Sequence, residues 1–143
     1  MNSLICTFFG HRDCSEAVTQ ELYTAIERII VENNCRLFYV GNHGNFDRLV
    51  SKVLFELKSK YEIEVYTVLA YMPAKNIIEY TNPTILPDGI ETVPRKFAII
   101  YRNRWMVDKA DIVLTYVKHS FGGAAQFKEY ATKKNKSVIE LYK

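Results

Sequence analysis

The strongest constraint on the fold of this chain is a regular alternation of two sequence patterns. Short runs of apolar, β-branched and aromatic residues occupy 3–9, 36–40, 64–70, 112–117 and 137–141. Longer segments with apolar residues at helical spacing occupy 16–32, 46–57, 95–109 and 124–134. Such alternation is typical of parallel strands joined by right-handed helical crossovers. The sequence therefore predicts an α/β fold, a Rossmann-like three-layer sandwich whose mainly parallel sheet has about five strands.

The length of the chain predicts one domain over residues 1–143, since 143 residues is a usual domain size. Residues 71–96 contain all four prolines and show no sustained periodicity, so we predict a long loop excursion there. In one interpretation the excursion forms a lid or wall in which Tyr71 or Tyr80 stacks on a base. In the other, its apolar residues only pack on the core or across a dimer.

Charge and cysteine content narrow the class of protein. A net charge of +3 is too small to imply a nucleic-acid partner by itself. No segment has the features of a secretory signal or the length of a membrane span, so we predict no membrane partner. The three cysteines lack a CxxC spacing and suit buried thiols in a reducing compartment. The sequence therefore predicts a cytoplasmic protein.

Glycine-rich turns follow the predicted strands, where ligands bind in folds of this type. The only histidines, His11, His43 and His119, each come after a predicted strand and near a glycine. Backbone N–H groups and helix N-termini at such an edge hold anions, most naturally a phosphate. The predicted ligand- and phosphate-binding residues are Gly10, His11, Arg12, Gly41, Asn42, Gly44, Arg95, His119, Ser120, Gly122, Gly123, Ala124 and Gln126. The alternative is that these turns only tolerate unusual backbone angles.

A zinc site built from the three histidines is a sharper alternative, because three imidazoles and a water form a known arrangement. No two of the histidines share a local ligand spacing, and no second-shell partner is evident. We therefore predict no metal and no cofactor.

The third predicted helix contributes positive charge to this edge of the sheet. Arg95 and Arg102 are seven residues apart and share one stripe, while Arg104 points to the opposite side. We predict that Arg102 reaches a ligand beside Glu129. The alternative is an amphipathic surface helix with solvated arginines.

Two motifs carry a resemblance to a known family. "RNRWMVDKAD", followed by a strand and "GGAAQFKE", resembles the paired signature of the LOG (lonely guy) phosphoribohydrolases. Across nearly all of its length, through "TFFGHRD", "FYVGNHGNFD", "VLAYMP", "GIETVPRKFAIIYRNRWM" and "HSFGGAAQF", the chain looks like short bacterial members of the wider SMF/DprA-LOG (SLOG) superfamily. The resemblance implies a nucleotide-like ligand, a homodimer or larger assembly, and hydrolysis of the N-glycosidic bond of a nucleoside 5′-monophosphate.

The same resemblance implies roles for individual residues. Arg102 and Glu129 correspond to the catalytic residues of LOG enzymes, and Gly122 with Gly123 corresponds to the glycines that bind the 5′-phosphate. A second acid for the leaving base is open among Glu91, Asp13 and Asp47.

The sequence departs from the LOG motif at three positions. Phe121, Ala125 and Gln126 replace a proline, a glycine and a threonine. These changes favour a non-catalytic nucleotide-sensing module as the alternative function. A third class, binding of single-stranded nucleic acid, has support from the basic third helix and a lysine cluster at Lys133, Lys134 and Lys136.

Overall fold

The computed structural model describes residues 4–72 and 82–142 of the chain. The strands are β1 (Leu4–Gly10), β2 (Cys35–Val40), β3 (Glu64–Val68), β4 (Thr84–Ile85), β5 (Ile112–Tyr116) and β6 (Ser137–Glu140). The helices are α1 (Thr19–Asn33), α2 (Asn45–Leu57), α3 (Ala98–Lys109) and α4 (Gly123–Lys133). Short 3₁₀ helices occupy Glu16–Val18, Ile90–Thr92 and Arg95–Phe97. Tyr80, one of the predicted stacking residues, lies outside the described residues.

The six strands form one parallel sheet in the order β4-β3-β2-β1-β5-β6. The chain therefore builds outward from β1 to one side, then returns to place β5 on the other side of β1. Residues 6–10 of β1 pair with residues 112–116 of β5, and the last pair is Gly10 with Tyr116. Strand order reverses between these two strands, so a crevice is expected beyond their carboxyl ends.

Helices cover both faces of the sheet, which confirms the predicted three-layer α/β sandwich. Alternate residues of β1 point to opposite faces. Phe8 packs with the helices α1 and α2, whereas Phe9 packs with α3 and α4 and stacks on Phe127 at 5.4 Å between ring centroids. The apolar runs read from the sequence are thus central strands buried on both faces.

The region predicted as a structureless excursion holds the sixth strand, which the sequence did not predict. Thr84 and Ile85 form β4 and pair in parallel with Thr67 and Val68 of β3. A two-residue strand is too short to show a period in the sequence, and it exists because β3 offers it an edge. The helix predicted from residue 95 also begins later, because Arg95–Phe97 forms a 3₁₀ turn before α3.

Cys6, Cys14 and Cys35 are free and buried, as predicted. Burial raises the pKa of the Cys35 thiol to about 11, so this thiol is protonated near neutral pH. Among the helices in the described ranges, none is both long and apolar enough to cross a membrane.

Candidate functional site

A cleft of about 540 Å³ opens at the carboxyl ends of β1 and β5, where the strand order reverses. One wall is the end of β1 with its following turn, a second is the loop that leads into α4, and α3 and the start of α2 complete it. The lining residues are Phe8, Phe9, Gly10, His11, Arg12, Asp13, His43, Asp47, Ile99, Arg102, Asn103, Met106, His119, Phe121, Gly122, Gly123 and Ala124. The cleft therefore occupies the position expected for a ligand in this class of fold.

The loop before α4 presents an open helix N-terminus to the cleft. Gly122 has a φ of 93° and a ψ of 175°, a conformation that favours glycine, and α4 begins at Gly123. No described side chain caps this helix, and a Cβ added at either glycine would meet no described heavy atom within 4 Å. The N–H groups of the first turn have no acceptor within the helix, so an anion can approach them directly.

Arg102 forms the charged floor of the cleft and is only 2% exposed. Its Nη1 donates to Asn42 Oδ1 and to Val68 O, both at 3.0 Å, and its Nε donates to Asn103 Oδ1 at 2.8 Å. Burial lowers the pKa of the guanidinium, and the nearby Asp47 opposes that shift. The solvated-arginine alternative is thus wrong for Arg102, which is fixed in place by neutral acceptors.

A carboxyl and an imidazole lie beside this guanidinium. Asp47 Oδ2 accepts a hydrogen bond from the backbone N–H of His43 at 3.0 Å. Burial raises the pKa of Asp47 to about 6, although the charges of Arg102 and Arg12 lower it. Arg102 Nη2 lies 3.2 Å from His43 Nδ1. Because a guanidinium only donates, His43 must accept through Nδ1 and carry its proton on Nε2. Burial and the charge of Arg102 lower the pKa of His43 accordingly.

The other two histidines join the β1 turn to the loop before α4. His11 Nε2 accepts from the Lys118 N–H at 2.8 Å and from the His119 N–H at 3.4 Å. The rings of His11 and His119 are 4.7 Å apart, and burial lowers the pKa of His11. All three histidines line the cleft, so the prediction that they share one edge is confirmed. Nowhere in the described ranges do three metal-ligating side chains cluster.

The glycine turn after β2 has a different role from the one predicted. Gly41, Asn42 and Gly44 are not among the residues that line the cleft. A Cβ at Gly41 would lie 2.7 Å from Asp47 Oδ2, and one at Gly44 would lie 2.8 Å from Arg12 Cα. Together with the Asn42 contact to Arg102, these distances indicate that this turn supports Arg12, Asp47 and Arg102, which line the cleft.

Glu129, the predicted catalytic carboxylate, does not meet Arg102. Its side chain is 68% exposed and its Oε1 lies 3.1 Å from Lys133 Nζ, one turn along α4. Six residues of an α-helix place Glu129 about 120° around the axis from Gly123, so it points away from the cleft that Gly123 lines. Of the other nominated acids, Asp13 and Asp47 line the cleft and Glu91 does not.

The remaining predicted residues lie at or beyond the rim. Ser120 and Gln126 are exposed outside the cleft lining, and the Gln126 N–H donates to Gly122 O at 3.0 Å within the helix. Arg95 is exposed, with its guanidinium 4.2 Å from the ring centroid of Tyr71. These three side chains therefore do not contribute to the cleft as the structure describes it.

Sequence reasoning assigned no role to Asn103, which both lines the cleft and holds Arg102. Its spacing from Ile99 and Met106 on the same helix face is a signal that could have found it. Phe121 also lines the cleft, although in the sequence it stood out only as a departure from the LOG motif.

Comparison with known proteins places the fold but not the activity. The sequence matches no protein-family model and no curated protein. Among solved structures, the X-ray structure of DNA processing protein A (DprA) from Streptococcus pneumoniae superposes with a TM-score of 0.68 at 14% sequence identity. The match covers 96% of this chain and 50% of that chain, so this chain spans half the length of its structural neighbour. DprA has the SLOG fold. The predicted Rossmann-like α/β architecture is therefore confirmed as the fold of this chain, which shares it with DprA.

Proposed function

We propose that this protein binds a nucleotide or nucleotide-derived ligand through a phosphate held at Gly122, Gly123 and the N-terminus of α4. The observation that carries the proposal is the open helix N-terminus facing a 540 Å³ cleft at the reversal of strand order. Such a helix end combines free N–H donors with the positive end of the helix dipole. The glycines leave space in front of these amides, since a Cβ added at either position would meet no described heavy atom within 4 Å.

Fixed hydrogen-bond donors in this cleft also favour an anion. Arg102 is fixed in the floor and Arg12 lines the turn after β1. The charge of Asp47 acts on Arg102, and the raised Asp47 pKa of about 6 leaves part of the population neutral in mildly acidic solution. Asp13 also lines the cleft, so its four charged side chains nearly balance at neutral pH, and the preference for a phosphate dianion rests on the fixed donors of Arg102 and the N-terminus of α4.

Binding without turnover is the form of this function that the geometry supports best. Cleavage of an N-glycosidic bond builds positive charge on the sugar, which a nearby carboxylate must stabilise. Glu129 is exposed and lies off the cleft, so this role would fall to Asp47 or Asp13. We therefore favour nucleotide sensing over phosphoribohydrolase activity for this chain.

The proposal is tested by titrating the protein with nucleoside 5′-monophosphates, the matching nucleosides and ribose 5-phosphate. Release of free base is followed in the same samples. Gly123→Asp and Gly123→Asn form a matched pair, because the site is open and only the charge differs. We expect the Asp variant to bind the monophosphates at least about tenfold more weakly than the Asn variant. Equal affinity of both variants, or equal affinity of wild type for nucleosides and their monophosphates, would contradict the proposed phosphate site.

The name of the structural neighbour, DNA processing protein A, suggests DNA as a second candidate ligand. Lys133 ends α4 and Lys134 and Lys136 follow it, at the far end of the helix from the cleft, so an interaction through these lysines would be separate from the proposed site. An oligonucleotide that binds with a steep salt dependence and does not compete with a nucleotide would support this alternative. The homodimeric or larger assembly stays a prediction, which light scattering on the intact chain tests, and the single domain also stays a prediction.

A further inference from the structure

Phe121 is an unusual residue for the place that it occupies. Its side chain is 71% exposed at the mouth of the cleft, immediately before the open glycine turn. It takes part in none of the hydrophobic clusters that the described residues form. Folding therefore gains little from a large apolar ring at this position, and the place of the ring at the mouth of the cleft leaves it free to contact a ligand.

The ring is held in a defined orientation although it is exposed. Phe121 stacks on His119 with ring centroids 5.1 Å apart and an interplanar angle of 14°. His119 lies 4.7 Å from His11, which accepts hydrogen bonds from the backbone of the same loop. One face of the Phe121 ring thus rests on a braced imidazole, and its exposed area is available to a ligand. This arrangement is pre-organised for stacking.

The spacing between this ring and the open amides fits one kind of ligand. Phe121 precedes Gly122 and Gly123 by one and two residues, a separation of about 4–7 Å along the backbone. A nucleoside 5′-phosphate separates its aromatic base from its phosphate by a single sugar, which is a comparable span. A ligand with its phosphate at the start of α4 therefore brings its base to the Phe121 ring.

We infer that Phe121, supported by His119, is the base-recognition platform of the cleft, which selects phosphorylated ligands that carry an aromatic base over simple sugar phosphates. This inference rests on the proposed function, since it takes the phosphate position as given. It assigns to Phe121 a specificity role that is separate from phosphate binding.

The test compares Phe121→Ala and Phe121→Trp with wild type, using adenosine 5′-monophosphate, cytidine 5′-monophosphate and ribose 5-phosphate as ligands. Loss of a stacked aromatic contact lowers affinity by about 5- to 100-fold. We expect that loss for the nucleotides in the Ala variant, no change for ribose 5-phosphate, and wild-type or tighter nucleotide binding in the Trp variant. Phe55→Ala is the matched control, because Phe55 is 63% exposed on α2 and does not line the cleft.

The outcomes separate this inference from the proposed function. Nucleotide affinity that is unchanged in Phe121→Ala overturns the platform and leaves the phosphate site standing. An equal loss for ribose 5-phosphate and the nucleotides also overturns it, because the change then acts on the phosphate loop. Failure of wild type to bind any of the three phosphates contradicts the proposed phosphate site itself.

Discussion

Two glycine turns of this protein have nearly the same backbone dihedral angles, but one is packed by a neighbouring element and the other is open. Gly44 precedes α2 with φ 91° and ψ 175°, and Gly122 precedes α4 with φ 93° and ψ 175°. Neither helix has a side-chain cap from the described residues. Arg12 packs against Gly44, whereas no described atom lies within 4 Å of a Cβ placed at Gly122. The comparison shows that a glycine turn becomes a structural joint or an open site according to what neighbouring elements put on it.

The two helix N-termini also differ in charge, because the first turn of α2 contains an acid and that of α4 does not. Asp47 lies in the first turn of α2, and its carboxylate accepts the His43 N–H at 3.0 Å. The corresponding third residue of α4 is Ala125, and the first turn of that helix, all of which is described, contains no acid. An internal carboxylate therefore offsets the positive end of α2, while that of α4 is left for a ligand.

Adding a methyl group to each turn should produce the largest difference between them. Gly44→Ala forces a side chain into a glycine-only conformation and against the backbone of Arg12, so we expect a loss of roughly 2–4 kcal/mol in the free energy of unfolding. Gly122→Ala carries only the conformational cost, roughly 1–3 kcal/mol. Urea denaturation of both variants measures this. A Gly122→Ala variant that loses as much as Gly44→Ala would show that the turn before α4 is also filled.

The carboxyl of Asp47, in the first turn of α2, should make the free energy of unfolding depend on pH. The pKa of Asp47 rises on folding from its ordinary 3.8 to about 6, so the unfolded chain ionises first as pH increases. Stability from this group is therefore full below pH 3.8 and is lost as pH rises through 6, by on the order of 1–2 kcal/mol for a partly exposed group. We expect the Asp47→Asn variant to lack that decline between pH 4 and pH 7, as measured by denaturation at each pH.

The control for this measurement is Asp108→Asn, which removes an exposed carboxyl that lies away from the cleft. It should retain the wild-type decline. A decline of equal size in Asp47→Asn would mean that another group causes it.

An acid in the first turn of α4 should make the N-terminus of α4 resemble that of α2, with a carboxylate in place of a ligand. Ala125→Asp introduces at α4 the charge that Asp47 supplies at α2, so we expect a gain of about 0.3–1 kcal/mol in stability from the helix dipole. The same charge should weaken nucleotide binding by about tenfold, as measured by calorimetric titration. Ala125→Asn keeps the size without the charge and should change affinity little. Unchanged affinity in the Asp variant would place the phosphate elsewhere.

The smallest effect is expected at Glu129. Its ion pair with Lys133 is exposed and joins residues one helical turn apart, so Glu129→Gln should cost less than about 0.5 kcal/mol of stability. We also expect unchanged nucleotide affinity, since the side chain points away from the cleft. A loss of base release in this variant, if wild type shows any, would restore the catalytic role that the LOG resemblance implies.

The sequence was a good guide to the fold because the relevant signals are local. Apolar runs predicted the strands β1, β2 and β5, and the histidine after each of these three runs predicted the shared edge. β4 escaped prediction because two residues have no period and its pairing depends on β3. The candidate site was predicted less completely, since Asn103 and Phe121 carry no motif and their exposure to the cleft depends on how α3 and the loop before α4 pack.

The sequence by itself determined the alternation of strands and helices, the positions of the glycine turns and the edge of the sheet at which they meet. Periodicity and turn chemistry act over a few residues, so they can be read along the chain. Only the tertiary structure decided that Arg102 is buried, that Glu129 faces solvent, and that one glycine turn is filled while the other is open. Those outcomes depend on contacts between residues far apart in the chain, such as Arg102 with Asn42 and Val68, which no local pattern specifies.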